Sequence, residues 1–320
     1  MEGASAIVQE EANAVFDGAV GSHSNLRCFL DSVTPVVKAY RVHKAPYLPL
    51  SNDYCGKIAD NGVKCFYLGD LWNLFYQWSA CGVGTSVCIA PGETLEQFFV
   101  PYLSAIELYT YKTDVPTSQS MLYDKRFIEY SQHSTIDWTH GCQTPSPVSK
   151  VEVESKEELF FKYFESDSPY ERVPFVDKVY ELYHNCPGLI SLSSAELSPS
   201  SWLSVFWYPS GHVPAKNRKD LNTCFLTYHS LSTSEVLLIK HNMVIILVAV
   251  SLDNVNASDH VALAPFGLAT YKLDTKVWAS PNSDDEEYIS SLFDAARSWL
   301  KKHNIHHNDF NHFSYRCSFT

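Results

Sequence analysis

The segment Trp202-Leu-Ser-Val-Phe-Trp-Tyr208 decides how this chain is expected to fold. Its side chains alternate between two faces, with Leu203, Val205 and Trp207 on one and Trp202, Phe206 and Tyr208 on the other. A period of two residues is typical of a β-strand. Residues 224–230 and the nearly all-apolar residues 244–252 follow as further strands, and the latter is predicted to lie centrally in its sheet.

Helical periodicity precedes and follows these strands. In Asp70–Ala80 large apolar residues recur at helical spacing, and Asp70 is expected to cap the helix. Residues 284–302 combine an apolar stripe with acids at the start and lysines at the end, which favours a long helix. Residues 94–100 predict a helical turn that Pro101 ends.

Another helix is predicted after residue 154. Ser155-Lys-Glu-Glu158 matches a capping box, in which the serine and glutamate side chains satisfy free backbone amides. Four aromatic or aliphatic residues then line one side of the expected helix: Leu159, Phe160, Tyr163 and Phe164. Together these elements predict an α+β fold, a mainly antiparallel sheet with helices packed on one face and a long mobile insertion.

The domain organisation follows from where apolar periodicity fades. We predict a loose acidic tail at 1–22, a single domain at 23–316 and a short tail at 317–320. The domain is interrupted by a Ser/Thr/Pro-rich insertion at 112–154. Within it Thr144 and Ser146 each precede a proline and are candidate phosphorylation sites. An unmodified, solvated loop is the alternative.

Charge restricts the classes of partner. The 320 residues include 24 Lys and Arg and 36 Asp and Glu, so the formal net charge is −12. Nucleic acids and anionic membranes attract positively charged surfaces, so we predict neither as a partner. The longest apolar run, residues 243–250, is also far shorter than the roughly 20 residues that span a bilayer.

The compartment is inferred from the N-terminus and the cysteines. The opening MEGASAIVQE has acids where a secretory signal needs basic residues. The nine cysteines are odd in number and form no Cys-x-x-Cys pair, which favours free thiols in a reducing compartment. We expect a cytoplasmic protein, with the nucleus as the alternative.

Familiar catalytic motifs are absent from the sequence. There is no nucleophile elbow, zinc-protease helix motif, phosphate loop or dinucleotide fingerprint, and no cofactor is predicted. Polar residues that could ligate zinc do cluster after the last predicted helix: His303, His306, His307, Asp309 and His312. We interpret them as a solvated tail and predict no metal site.

Two sets of residues are candidate functional sites. The first is an aromatic-rimmed binding surface: Trp72, Trp78, Trp202, Trp207, Tyr208 and His229. Core packing is the alternative for these residues, and their spacing is more often that of core side chains. The second is a polar cluster that an enzyme could assemble around His229: Asp70, Glu171, Arg172, Asp177 and Tyr271.

Several segments resemble a plant protein family catalogued as domain of unknown function 789. They match it in order along the chain: Leu68-Gly-Asp-Leu-Trp-Asn-Leu-Phe-Tyr-Gln-Trp-Ser-Ala80, Phe98-Phe-Val-Pro-Tyr-Leu-Ser-Ala-Ile-Glu-Leu-Tyr109, Pro199-Ser-Ser-Trp-Leu-Ser-Val-Phe-Trp-Tyr-Pro209 and Pro265-Phe-Gly-Leu-Ala-Thr-Tyr-Lys272. The chain departs from the pattern at 210–214. The resemblance implies an intracellular plant protein and carries over no catalytic residue.

The function expected from the sequence is therefore that of a non-enzymatic protein-interaction or regulatory module. Abundant Trp and Tyr, an acidic charge and the lack of a catalytic motif favour it. The expected partner is another protein. The alternative is an enzyme of unassigned reaction, with a site built from dispersed polar residues around His229.

Overall fold

A computed structural model describes residues 24–42, 63–90, 92–111, 157–210, 222–233, 259–280 and 283–317. Several predictions lie outside these residues: the tail at 1–22, the mobile insertion at 112–154 with Thr144 and Ser146, and the strand at 244–252. They stay predictions.

The described residues form ten strands and seven helices. The strands are β1 (Val36–Lys38), β2 (Tyr40–Val42), β3 (Val63–Cys65), β4 (Val83–Ala90), β5 (Glu93–Tyr111), β6 (Glu157–Phe164), β7 (Trp202–Pro209), β8 (Cys224–Ser230), β9 (His260–Ala262) and β10 (Gly267–Tyr271). The helices are α1 (Asn25–Ser32), α2 (Leu68–Cys81), α3 (Phe175–Tyr183), α4 (Gly188–Ser191), α5 (Thr275–Trp278), α6 (Asp285–Lys302) and α7 (Asn308–Cys317).

An antiparallel sheet of six strands organises the fold. Its order is β10-β8-β7-β5-β4, and β6 also pairs with β5. Strands β1 with β9 and β2 with β3 form two small antiparallel pairs. The 19-residue β5 is the central strand of the sheet. On one edge it pairs with β4 over its first half and with β6 over its last residues, and on the other edge it pairs with β7. The α+β class and the mainly antiparallel sheet are confirmed.

Residues 94–100 belong to β5, so the predicted helical turn is wrong. Pro101 lies within the strand, opposite Trp207 of β7. In a strand, the backbone polar groups of successive residues point to alternate edges. The Phe98 carbonyl accepts from the Ser210 amide on the β7 side, so the nitrogen of Pro101, three residues later, faces the other edge. There β4 ends opposite Phe99, and β6 begins only opposite Ala105. The missing proline N–H therefore costs no hydrogen bond with a described strand.

The helix predicted from the capping box is also wrong. Residues 157–164 form β6 and pair with the end of β5. Aromatic residues fit a pleated surface well, and the long edge of β5 supplies backbone partners that a local capping pattern cannot outweigh. Because β5 and β6 pair directly, Tyr111 and Glu157 lie opposite each other.

Strand β7 confirms the alternation in its sequence and shows what each face contacts. Leu203, Val205 and Trp207 pack in a core with α1, α2 and α3. On the other face Trp202 and Phe206 pack in a second core with α6 and α7. Helices therefore cover both faces of the sheet rather than the one predicted, because large apolar side chains project from both faces of β7 and β8.

The helices differ from prediction mainly at their ends. Asp70 lies inside the first turn of α2, and Tyr67 occupies the capping position. The long C-terminal helix is confirmed as α6. The residues after it are not a solvated tail: they form α7, whose Phe310 and Phe313 belong to the second core. Among the described helices, none combines the length and apolar character that a membrane crossing requires.

Candidate functional site

A buried set of polar residues joins α7 to the sheet, and we call it the α7 network. It consists of Ser104 on β5, Arg172 in the β6–α3 loop, Tyr228 on β8, His307 just before α7 and Asp309 in the first turn of α7. Ser104 Oγ lies 2.9 Å from His307 Nε2 and donates to the Asp309 carboxylate. The Tyr228 hydroxyl lies 2.7 Å from His307 Nδ1.

The hydrogen bonds of the α7 network run in one direction. Ser104 gives its single hydroxyl proton to Asp309, so His307 Nε2 must donate in the bond that it shares with Ser104. His307 Nδ1 is then unprotonated and accepts from Tyr228. Burial lowers the pKa of His307 to about 4 and raises the pKa of Tyr228, so both side chains are neutral at neutral pH.

Arg172 closes the network with a bidentate ion pair. Its two terminal nitrogens lie 2.8 Å from the two oxygens of Asp309, and its side chain is only 3% exposed. Nε and Nη2 also donate to the Asp167 carbonyl, and the guanidinium lies over the Phe206 ring. One guanidinium therefore binds both the loop carbonyl of Asp167 and the carboxylate of Asp309, which attaches the β6–α3 loop to α7.

The α7 network contains Ser, His and Asp, but it does not have the geometry of a nucleophilic triad. In a triad the histidine accepts the serine proton, whereas here His307 donates to Ser104. Ser104 and Tyr228 are fully buried, and His307 is 2% exposed. A substrate has no access to these atoms, and the arrangement serves to dock α7 on the sheet.

A second buried carboxylate orders the loop that carries Arg172. Glu165, at the end of β6, is 4% exposed and accepts from the amides of Ser166 and Asp167, each at 2.9 Å. The Tyr163 hydroxyl donates to its other oxygen at 2.9 Å. The loop is thereby held against the sheet, and it presents Tyr170 to solvent with 88% of its surface exposed.

Beside the α7 network the same sheet face reaches solvent as a band that we call the tyrosine strip. It consists of Phe98, Val100 and Tyr102 on β5, Tyr208 on β7 and Tyr170 in the β6–α3 loop. The β5 residues alternate onto one face, and Tyr102 and Val100 lie opposite Phe206 and Tyr208 of β7. Phe98 is 38% exposed, and Val100, Tyr102 and Tyr208 are half-buried.

The rings of the tyrosine strip rest on an ordered floor. Tyr208 stacks on Phe206 at 6.3 Å between centroids and 22° between planes, and Tyr102 meets Phe206 edge-on. Tyr170 stands at 71° to Tyr208, with 6.5 Å between centroids. Partial burial, followed by the neighbouring Tyr170 hydroxyl, raises the pKa of Tyr208. Tyr208 is therefore a neutral phenol, and the rings of the strip are held at defined angles to one another.

Most residues of the predicted aromatic binding surface lie in the core. Trp202 and Trp207 are fully buried on opposite faces of β7, Trp72 is 3% exposed and Trp78 is 9% exposed. They cannot form one rim, because their side chains fill the space between the helices and the sheet. Tyr208 alone of the six reaches solvent, and it does so in the tyrosine strip.

His229 is a fully buried core residue whose two ring nitrogens are both bonded. Nδ1 lies 2.7 Å from the Leu263 carbonyl and Nε2 lies 2.8 Å from Thr227 Oγ1. Burial lowers the pKa of His229 to about 4, so it is neutral and paired at neutral pH. Neither nitrogen is left to act on a substrate, and none of the predicted polar cluster is among its hydrogen-bond partners.

The predicted polar cluster is dispersed. Arg172 is in the α7 network, while Glu171, next to it, is exposed and accepts from Ser168. Asp70 lies in α2, where burial raises its pKa, and Asp177 is exposed in the first turn of α3. Tyr271 is half-buried against His312 and Phe313. The five side chains do not converge on one site.

Sequence reasoning missed Ser104, Tyr228, His307 and Asp309 as partners. A signal was present in the sequence, because the helical spacing of Phe310 and Phe313 predicts a helix with one buried face. The first residues of such a helix, near His307 and Asp309, would then be buried as well. Within the described ranges no three His, Cys, Asp or Glu side chains converge in a way that could hold a metal ion.

Comparison with known proteins gives a family and nothing further. No curated protein and no solved structure matches the chain. The model of one family, described as a protein of unknown function (DUF789), matches residues 24–313. The match runs from the start of α1 to Phe313 of α7, so it takes in the sheet, the α7 network and the tyrosine strip. The chain therefore belongs to the DUF789 family of proteins of unknown function.

Proposed function

We propose that the protein is a non-enzymatic interaction or regulatory module that binds another protein through the tyrosine strip. The observation that carries this proposal is Tyr170, a large aromatic side chain with 88% of its surface in solvent on an otherwise ordered loop. Glu165 and Arg172 hold that loop through hydrogen bonds and an ion pair, so the exposure of Tyr170 is built into the fold.

The chemistry of the strip supports a protein partner. Tyrosine supplies large contact area at a low cost in conformational entropy and keeps a polar hydroxyl, and for this reason it is enriched at interfaces. The rings of Tyr102 and Tyr208 pack on Phe206 before any partner arrives. A surface already ordered in this way loses little entropy on binding.

The enzyme alternative has less support among the described residues. The serine, histidine and aspartate that meet in the α7 network are closed to substrate, and His229 is bonded at both nitrogens. Plant origin and residence in the cytoplasm or the nucleus stay predictions from the sequence.

Affinity purification with matched variants tests the proposal. The full chain, Tyr170→Ala and the control Tyr76→Ala serve as baits in the same lysate; Tyr76 is 56% exposed on α2, in a different part of the molecule. We expect the full chain and Tyr76→Ala to capture the same partner, and Tyr170→Ala to lose it. A reproducible partner that Tyr170→Ala retains, or no partner at all, contradicts the proposal.

A further inference from the structure

The dimensions of the tyrosine strip restrict the shape of what it can hold. Phe98 and Tyr102 are four residues apart on one face of β5, a separation of about 13 Å at about 3.3 Å per residue. Tyr208 lies on the neighbouring strand, and Tyr170 rises beyond it. The strip is thus long and narrow, and it suits an extended segment of about four residues in a polyproline II conformation.

The surface chemistry of the strip also favours proline. A polyproline II segment has no internal hydrogen bonds, so its carbonyls are free to accept from tyrosine hydroxyls. Proline rings pack on aromatic faces, and aromatic-lined grooves are the common way in which proteins recognise such segments. Tyr170 and Tyr208, at 71° to each other, supply two such walls.

Two exposed carboxylates, those of Glu96 and Glu171, lie beside the strip. Glu96 is exposed on the same face of β5 as Phe98, and its carboxylate lies over Gly84 of β4, where any other side chain would collide with it. Glu171, which follows Tyr170 directly, is also exposed. The nearby guanidinium of Arg172 is neutralised by Asp309. A partner with basic residues beside its prolines is therefore complementary to the strip.

We infer that the tyrosine strip binds a proline-rich peptide segment flanked by arginine or lysine. The prolines lie against Tyr102, Tyr170 and Tyr208, and the basic residue pairs with Glu96 or Glu171. This inference rests on the proposed function and adds the class of partner to it.

Binding of synthetic peptides to the full chain tests the inference. The probe is a fluorescent dodecamer with four consecutive prolines and two arginines at one end, and the control peptide has alanine in place of each proline. We expect the probe to bind and the control not to bind. Tyr170→Ala is expected to weaken binding about five-fold or more, the cost typical of an interface tyrosine, while Tyr76→Ala leaves it unchanged.

The charge of the strip is tested separately. Glu96→Gln with Glu171→Gln is expected to weaken probe binding about two- to three-fold, and to reduce its salt dependence, as loss of exposed pairs does. Equal binding of the probe and the alanine peptide overturns the inference.

Two further outcomes distinguish the inference from the proposed function. If the probe does not bind but Tyr170→Ala still loses a captured partner, the class of partner is wrong and the proposed function stands. If neither effect occurs, both fail. If sedimentation shows that the full chain self-associates and that Tyr170→Ala abolishes this, the strip is a contact between two copies, which also overturns the inference.

Discussion

Two neighbouring parts of one sheet face differ in burial: one is covered by a helix and the other is exposed to solvent. Phe206 lies between them. On one side the α7 network buries five polar side chains under a helix and pairs each of them. On the other side the tyrosine strip leaves aromatic rings at the surface. The comparison shows that polarity and exposure are uncoupled here, because hydrogen bonding decides what can be buried.

The two parts are also mechanically connected. Arg172 donates to Asp309 in the network, and its guanidinium lies over Phe206, the ring on which Tyr208 stacks. The network therefore helps to hold Phe206, the ring on which the tyrosine strip packs, in place. Changes in the network are expected to act on stability, whereas changes in the strip are expected to act on binding, and the following predictions test this division in order of decreasing effect.

Asp309→Asn is expected to have the largest effect. It leaves the Arg172 guanidinium, 3% exposed, without a compensating charge, and breaking a buried pair in this way costs about 3 to 5 kcal/mol of unfolding free energy. Urea denaturation followed by circular dichroism measures the change. The control is Asp294→Asn, which breaks the exposed pair with Arg297 and should cost less than about 1 kcal/mol. Equal losses in the two variants contradict the prediction.

Acid is expected to destabilise the protein through His307. Its pKa is about 4 in the folded protein against about 6.5 when unfolded, so between these values the unfolded chain binds more protons. Stability is full above pH 6.5 and is lost as pH falls towards 4, by about 3 kcal/mol for this group.

His229, on the other face, has the same shift and adds an equal loss. Urea denaturation between pH 7.5 and pH 4.5 measures the slope of stability against pH. His307→Gln is expected to lower that slope, while the shares of His229 and of His303, whose pKa burial also lowers, remain. The control is His260→Gln, a histidine exposed on β9. An unaltered slope in His307→Gln shows that His307 is not buried in its neutral form.

Tyr228→Phe is expected to have a smaller effect. It removes the donor to His307 Nδ1 and leaves a buried acceptor unsatisfied, which costs about 1 to 3 kcal/mol. Thermal denaturation beside Tyr76→Phe, an exposed tyrosine, isolates the buried bond. No difference between the two variants contradicts a stabilising buried hydrogen bond between Tyr228 and His307.

The sequence predicted what local periodicity determines. The alternation in Trp202–Tyr208 assigned each side chain to the correct face, and the apolar stripe of α6 located that helix. Where it failed, contacts distant in sequence decided the outcome. Residues 157–164 became a strand because the edge of β5 was available, and Pro101 was tolerated because its nitrogen faces the interval between β4 and β6.

The candidate sites were harder to predict for the same reason. The α7 network joins Ser104 to His307 across 203 residues of sequence, and no local pattern encodes such a pairing. Aromatic content predicted a binding surface but could not say which rings stay exposed. Trp202 and Tyr208 lie on the same face of one strand, but the rings of Phe164, Tyr228 and His307 pack against Trp202, whereas Tyr208 is half-buried.

Tyr170→Ala is expected to have the smallest effect on stability. It is therefore the clearest test of the difference between the exposed tyrosine strip and the buried α7 network. A side chain that is 88% exposed loses little packing when it is truncated, so the unfolding free energy should change by no more than about 0.5 kcal/mol. Urea denaturation beside Tyr228→Ala, a fully buried tyrosine, measures the contrast. A loss of 2 kcal/mol or more, roughly the value for a buried contact, would mean that Tyr170 holds the loop in place, and its exposure would no longer argue for a partner.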